Sequence, residues 1–123
     1  MKRDIELERK ILLEIEKIYK PGNIWINVDV DNYDTLIVAE HCKFLHQQGL
    51  IAGFNNTNGM RNYKIQNLTA KGYETLELIR NEKAWKKAQK TAEEKEVPQT
   101  MENIAEIAGI IIGKVIKEIS GVP

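Results

Sequence analysis

The chain has 123 residues, the size of a single domain, and 42% of them are hydrophobic, which is enough for one packed core. Its 18 basic and 18 acidic residues balance, which argues against a protein that binds nucleic acid through an overall positive charge. The single cysteine excludes a disulfide within the chain, and we find neither a signal-peptide core nor an apolar run long enough to cross a membrane. We therefore expect a soluble cytoplasmic protein with no membrane segment.

The chain opens with the spacing of a helix. Apolar residues recur every three or four positions over residues 5–19, Asp4 is placed to cap the start, and Pro21 with Gly22 ends the helix. Residues 23–28 are short and rich in β-branched side chains, which predicts a strand.

A loop and a second helix follow this strand. The acidic residues 29–34 predict the loop, and Asp34 is placed to cap a helix that runs to Gln48. Gly49 ends this helix because glycine easily adopts the left-handed conformation found there. Residues 50–54 predict the next strand.

The next segment predicts a hairpin and two further helices. Residues 55–59 form a turn cluster with an Asn-Gly pair, a strong hairpin signal, and residues 61–66 alternate as the returning strand. Thr69 is placed to cap a third helix and Asn81 a fourth.

The predicted order of helix, strand, helix, hairpin and helix is that of a winged helix. We predict an α+β fold, mostly α: a winged helix with a two-strand wing over residues 1–92, followed by a C-terminal helical extension. Residues 93–123 would comprise a charged linker and an apolar C-terminal helix from Met101 to Ile119.

A resemblance to a known family rests on four segments: MKRDIELERKILLEIE, HCKFLHQQGLI, LTAKGYETLELI and KAWKKAQK. Together they resemble an uncharacterised bacterial family, often prophage-encoded, in the neighbourhood of YjcQ-like proteins. The resemblance covers residues 1–92. It implies a winged helix in which the helix ending in Gly-Leu-Ile takes the place of the recognition helix and the hairpin is the wing. It implies no activity, because the family has none assigned.

The candidates for catalysis or metal binding are few. Cys42 and His46 lie four residues apart and share a helix face, but zinc needs three or four ligands and the chain has no second Cys/His pair. Because Val38, Cys42 and Leu45 form a core stripe, we interpret the thiol as buried. We expect no enzyme, no catalytic residue, no cofactor, no metal and no small-molecule substrate, and for His41 a packing or hydrogen-bonding role.

The charges around the second helix are unfavourable for DNA. Residues 21–59 hold one lysine, Lys43, against four carboxylates, and phosphates would repel that balance. The helix also carries a second apolar stripe, Ile37 and Phe44 with His41 between them. That stripe suggests burial against another helix or a partner.

Basic residues are concentrated later in the chain, with nine against six glutamates in residues 60–96. A solvated helix face is the ordinary interpretation of such a run. The alternative is DNA contact through the wing and a basic helix that also bears Trp85. The possible DNA contacts are Arg61, Lys64, Lys83, Lys86, Lys87 and Lys90.

The C-terminal helix is apolar on nearly every side, and Gly109 and Gly113 lie four residues apart, where another backbone could approach. Either it folds back on its own domain, covering Ile37 and Phe44, or it pairs with a second copy. The predicted partner or dimer interface comprises Ile104, Ile107, Ala108, Gly109, Ile111, Ile112, Gly113, Val115 and Ile116.

The functional prediction is a non-catalytic winged-helix interaction module, homodimeric or bound to a protein partner, with no membrane role. The alternative is a sequence-specific, phage-related transcriptional regulator that binds DNA through the wing and the basic helix.

Overall fold

The computed structural model describes residues 2–120. This part of the chain is α+β and mostly helical, with five α-helices and one two-stranded antiparallel sheet, which confirms the predicted fold class. The chain divides into two compact units, Met1–Glu74 and Thr75–Pro123. The sequence placed a domain boundary after residue 92, whereas this division falls within the third helix.

The first two helices of the chain begin at the predicted caps. α1 spans Ile5–Ile18, and the Asp4 carboxylate accepts a hydrogen bond from the Leu7 N–H at 3.1 Å. α2 spans Thr35–Gln47, and Asp34 accepts from the Leu36 N–H at 2.8 Å. Gly49 follows α2 with a φ of +81°, the left-handed conformation that ends many helices.

The predicted hairpin is present. β1 (Ile51–Asn55) pairs antiparallel with β2 (Lys64–Leu68), so that Phe54 lies opposite Ile65. A short 3₁₀ turn, Met60–Asn62, lies between the two strands.

The predicted strand over residues 23–28 is wrong in extent. Only Ile26 pairs, through a bridge to Ile65 in which each residue donates its N–H to the carbonyl of the other, at 2.8 and 2.9 Å. β-Branched composition favours a strand only where a partner backbone runs alongside, and here β2 offers a partner at one position. The neighbouring Ile24 and Trp25 are exposed.

Residues 29–34 form the predicted loop, with a turn closed by the Tyr33 N–H donating to the Val30 carbonyl at 3.2 Å. A helix-turn-helix has a further helix joined by a short turn to the start of its recognition helix. In the described chain no helix lies between α1 and α2, so α2 has no such neighbour. The order of elements is nevertheless compatible with a winged-helix-like arrangement.

Three helices complete the chain: α3 (Ala70–Ile79), α4 (Glu82–Glu94) and α5 (Met101–Ser120). Thr69 and Asn81 cap α3 and α4 as predicted, accepting from backbone N–H groups at 3.0 and 2.9 Å. Residues 95–100 connect α4 to α5, and the two helices pack on each other as a helical hairpin. This packing places both helices in the second unit.

The predicted core is buried. In the first unit a Cβ at Gly72 would overlap the Leu50 carbonyl oxygen, so glycine allows α3 to start close to the hairpin. Leu76 is also buried, in the second unit. All seven predicted core residues are at most 3% exposed: Leu12, Ile15, Val38, Leu45, Leu50, Ile65 and Leu76.

Candidate interaction surfaces

The helix α5 has a buried face and an outward face. The buried face occupies its first two turns, where residues at helical spacing pack in the α4–α5 hairpin: Met101, Ile104, Ala105 and Ala108. At about 100° per residue, Ile110 lies roughly opposite this stripe. Its side chain is 54% exposed, an unusual position for isoleucine.

The apolar character of α5 continues beyond its buried turns. Between residues 109 and 114 no residue is buried, and Ile107, Ile111 and Ile112 are half-buried. In α4, by contrast, the apolar residues form one buried stripe: Ala84, Trp85, Ala88 and Ala92. The middle of α5 therefore keeps accessible apolar surface, as does Leu78 of α3, which is 37% exposed.

A groove of about 490 Å³ runs beside this exposed stretch. Its apolar lining comes from Val97 and from three isoleucines of α5, Ile107, Ile110 and Ile111. The polar lining comes from Lys87, Thr91, Lys95 and Lys114. A groove lined by both apolar and cationic side chains suits a partner that offers both apolar and acidic side chains.

The two glycines of α5 differ in their surroundings. A Cβ on Gly109 would lie 3.2 Å from the Leu78 side chain, so this position already faces a neighbour within the second unit. A Cβ on Gly113 would meet nothing within 4 Å. Only Gly113 therefore offers open space to another molecule.

The positions of these side chains reduce the set of residues predicted to form the interface. Ile104 and Ala108 are fully buried in the chain's own packing, so we remove them from the proposed surface. The side chains of Val115 and Ile116 lie outside the described residues. Sequence reasoning left the exposed Ile110 out of the predicted interface, although its place opposite Ala105 and Ala108 on the helix could have identified it as exposed.

The predicted DNA contacts are all exposed: Arg61, Lys64, Lys83, Lys86, Lys87 and Lys90. Arg61 lies in the 3₁₀ turn of the wing and Lys64 begins β2. Lys86 forms an ion pair with Glu82 at 3.1 Å, one turn earlier on α4. Trp85 is fully buried and so offers no stacking surface beside these lysines.

The outward face of α2 has little basic character. Leu36 and Ile37 are exposed there, together with Lys43 and Gln47. The one lysine and one glutamine are the side chains that could hydrogen-bond a base edge, next to two apolar residues. This composition does not resemble a helix that reads the major groove.

The chain's own N-terminal residues cover two of the three residues of the second apolar stripe of α2, Phe44 and His41, and leave Ile37 exposed. The Arg3 guanidinium lies over the Phe44 ring, 4.6 Å from its centre, and donates two hydrogen bonds to the buried Glu8 carboxylate at 2.6 and 2.9 Å. Sequence reasoning missed Arg3, because its contact with Phe44 joins residues 41 positions apart.

His41 is fully buried in the same stripe. Its Nε2 accepts from the Asp4 N–H at 2.9 Å, so Nδ1 carries the proton and donates to the Ile37 carbonyl at 2.8 Å. Both ring nitrogens are occupied by backbone groups. The predicted hydrogen-bonding role of His41 is confirmed, and neither nitrogen is available for a metal or a substrate.

Cys42 is the buried thiol that the sequence predicted. Its Sγ lies 3.9 Å from the Tyr63 hydroxyl, which in turn donates to the Val28 carbonyl. Burial raises the pKa of the thiol to about 12 and also raises the pKa of Tyr63. The thiol therefore stays protonated at neutral pH, in a chain of hydrogen bonds inside the first unit.

The described residues contain no group of three or more His, Cys, Asp or Glu side chains placed to hold a metal ion. None of their helices combines the length and apolar composition that a membrane crossing requires.

The fold and these surfaces define a small, mostly helical α+β protein whose last helix carries an exposed isoleucine, Ile110, with half-buried isoleucines beside it. The chain belongs to the family described as "Hypothetical protein (DUF2513)", which it matches over residues 2–98. A curated relative from Haemophilus influenzae, described as an uncharacterized protein, is 29% identical over 118 residues, which cover 94% of this chain and 99% of the relative. No solved structure matches the chain.

These matches confirm the coarse resemblance to an uncharacterised bacterial family. The likeness to YjcQ-like proteins and the prophage origin stay predictions.

Proposed function

We propose that this protein is a non-catalytic interaction module that self-associates through the exposed middle of α5. We define the α5 surface as Ile107, Ile110, Ile111 and Gly113. The observation that carries the proposal is the 54% exposure of Ile110 at the centre of this surface. Full burial of an isoleucine contributes about 1.5–3 kcal/mol, so covering the exposed part of Ile110 and its half-buried neighbours favours association.

The side chains best suited to catalysis are engaged in the protein's own packing and hydrogen bonds, which supports the non-catalytic part of the proposal. Cys42 is buried and protonated at neutral pH, and both ring nitrogens of His41 bond to backbone groups. A cytoplasmic location is part of the same proposal, because a lone buried thiol suits a reducing compartment.

The test compares Ile110→Lys with Ile24→Lys by size-exclusion chromatography with light scattering. Ile24 is 71% exposed and lies in the first unit, so the control makes the same chemical change at another exposed isoleucine. We expect the wild type and Ile24→Lys to be dimers and Ile110→Lys to be a folded monomer by circular dichroism. If Ile110→Lys remains as dimeric as the wild type, the α5 surface is not the interface.

A second candidate function is sequence-specific binding of DNA by a phage-related transcriptional regulator. It is favoured by the exposure of Arg61 and Lys64 on the wing and of four lysines on α4. Phosphate contacts from such side chains would position the protein on a duplex. The face of α2 gives this candidate no support, since it carries two exposed apolar residues and a single exposed lysine.

Fluorescence anisotropy with a random duplex separates the two candidates. At physiological salt we expect a dissociation constant no tighter than about 1 µM, the strong end of non-specific binding. Arg61→Ala with Lys64→Ala should weaken that binding further if the wing contacts phosphates. Nanomolar affinity for a duplex, lost in this double variant, would place DNA binding ahead of self-association.

A further inference from the structure

The outward face of α5 is self-complementary in charge about Ile110. Glu106 lies four residues before Ile110 and Lys114 four residues after it, and both side chains are exposed. Four residues are slightly more than one helical turn, so all three side chains share the outward face. Glu106 and Lys114 make no ion pair with any other side chain of the described chain.

Two further residues flank the same centre. Ile107 lies three residues before Ile110 and Gly113 three residues after it, on opposite sides of the outward face at about 100° per residue. The position of Gly113 opens onto free space, with nothing within 4 Å of a Cβ built there. Reversal of the helix about Ile110 therefore exchanges the heights of an apolar side chain and an open position.

We propose that the partner of the α5 surface is a second copy of this chain, whose α5 lies antiparallel to the first across a twofold axis at Ile110. This arrangement rests on the proposed function and specifies its geometry. The two Ile110 side chains meet at the axis. Glu106 of each copy lies at the height of Lys114 of the other, and Ile107 at the height of Gly113.

The alternative parallel arrangement lacks this complementarity. It would place Glu106 beside Glu106 and Lys114 beside Lys114, and like charges in such positions destabilise a helix pair. The charges therefore favour the antiparallel pair, which is a closed, isologous contact.

Disulfide trapping tests the arrangement with Glu106→Cys and Lys114→Cys chains. In the antiparallel pair equivalent Glu106 positions are eight residues apart along the axis, about 12 Å at the helical rise, too far for a disulfide. We therefore expect each variant alone to remain uncrosslinked under mild oxidation and an equal mixture to give a covalent heterodimer. Wild type is the background control, because its Cys42 is buried and protonated.

Charge exchange gives an independent result that does not depend on disulfide geometry. Glu106→Lys places two lysines together at both symmetry-related contacts, and we expect the dimer dissociation constant to rise about tenfold at low salt. Adding Lys114→Glu should restore the wild-type value. In a parallel pair neither change would alter the number of like-charge contacts.

The outcomes separate this inference from the function on which it rests. If Glu106→Cys crosslinks to itself, or if Glu106→Lys leaves the dissociation constant unchanged, the antiparallel arrangement is overturned while self-association stands. If the wild type is monomeric, both are overturned. Selective crosslinking of the mixture, together with restoration by the double exchange, supports both.

Discussion

Two helices of this protein, α2 and α5, each carry more apolar residues than a single packing face holds. On α2 the chain itself covers part of the additional stripe: Arg3 lies over Phe44 and His41 binds the Asp4 N–H, while Ile37 stays 40% exposed. On α5 the corresponding residues stay accessible, and Ile110 keeps 54% of its surface exposed.

This difference shows why an apolar stripe on a helix does not by itself identify a binding surface. Both stripes have the same helical period in the sequence, and both suggested a partner. The N-terminal residues of the chain supply that partner for His41 and Phe44 of α2, but not for Ile37. The exposed stripe of α5 is the stronger candidate for contact with another molecule, because burial of accessible apolar surface drives association.

The largest expected effect comes from a substitution on the buried face of α2. Leu45 is fully buried, and Leu45→Ala should lower the free energy of unfolding by about 2–5 kcal/mol through lost burial and a remaining cavity. Leu36→Ala, on the exposed side of the same helix, should cost less than about 1 kcal/mol. Urea denaturation measures both, and similar losses at the two positions would contradict the assigned faces of α2.

A smaller effect is expected from removing the contact that covers the second stripe of α2. His41→Ala removes a fully buried side chain and leaves the part-buried Asp4 N–H without its partner, and it should cost about 1–3 kcal/mol. Amide exchange at Asp4 should accelerate in the same variant. His46→Ala is the control, since His46 binds the Ile51 carbonyl from an exposed position. Equal losses, with the Asp4 amide still protected, would show that the N-terminal contact does not stabilise α2.

The smallest expected effect concerns the dependence of stability on pH. Burial raises the pKa of Cys42 from its ordinary value of 9.0 to about 12, so above pH 9 the unfolded chain loses the thiol proton before the folded chain does. The buried thiol's contribution to the free energy of unfolding is therefore fully present below pH 9. Above pH 9 this contribution falls by up to about 1.4 kcal/mol per pH unit.

Urea unfolding between pH 9 and 10 measures this dependence. The interval is chosen because Tyr63, whose ordinary pKa is 10.0, affects the free energy of unfolding mainly at higher pH. Cys42→Ala should have a shallower slope over that interval. An identical slope in the variant would mean that the thiol is not protected by burial.

Much of the fold could be predicted because its signals are local. The caps Asp4, Asp34, Thr69 and Asn81 each lie within three residues of the N–H they bind, and the Asn-Gly turn sits within its own hairpin. The segment 23–28 failed because strand formation depends on a distant backbone, and β2 pairs with it only at Ile26.

The candidate surface was harder to predict for the same physical reason. Periodicity showed that α5 is apolar on most sides, but it did not show which side α4 would cover. The structure buries Ile104 and Ala108 and leaves Ile110 accessible, which removes two predicted interface residues and adds one. The contact of Arg3 with Phe44 was likewise invisible in local sequence, because it depends on how α1 packs against α2.

Sedimentation velocity of the wild-type protein over a concentration series is the most direct test of self-association through α5. We expect the weight-average mass to rise from that of one 14.1 kDa chain to that of two, with a dimer predominating at about 100 µM, as a micromolar dissociation constant requires. A mass that stays at a single chain up to that concentration would contradict the account.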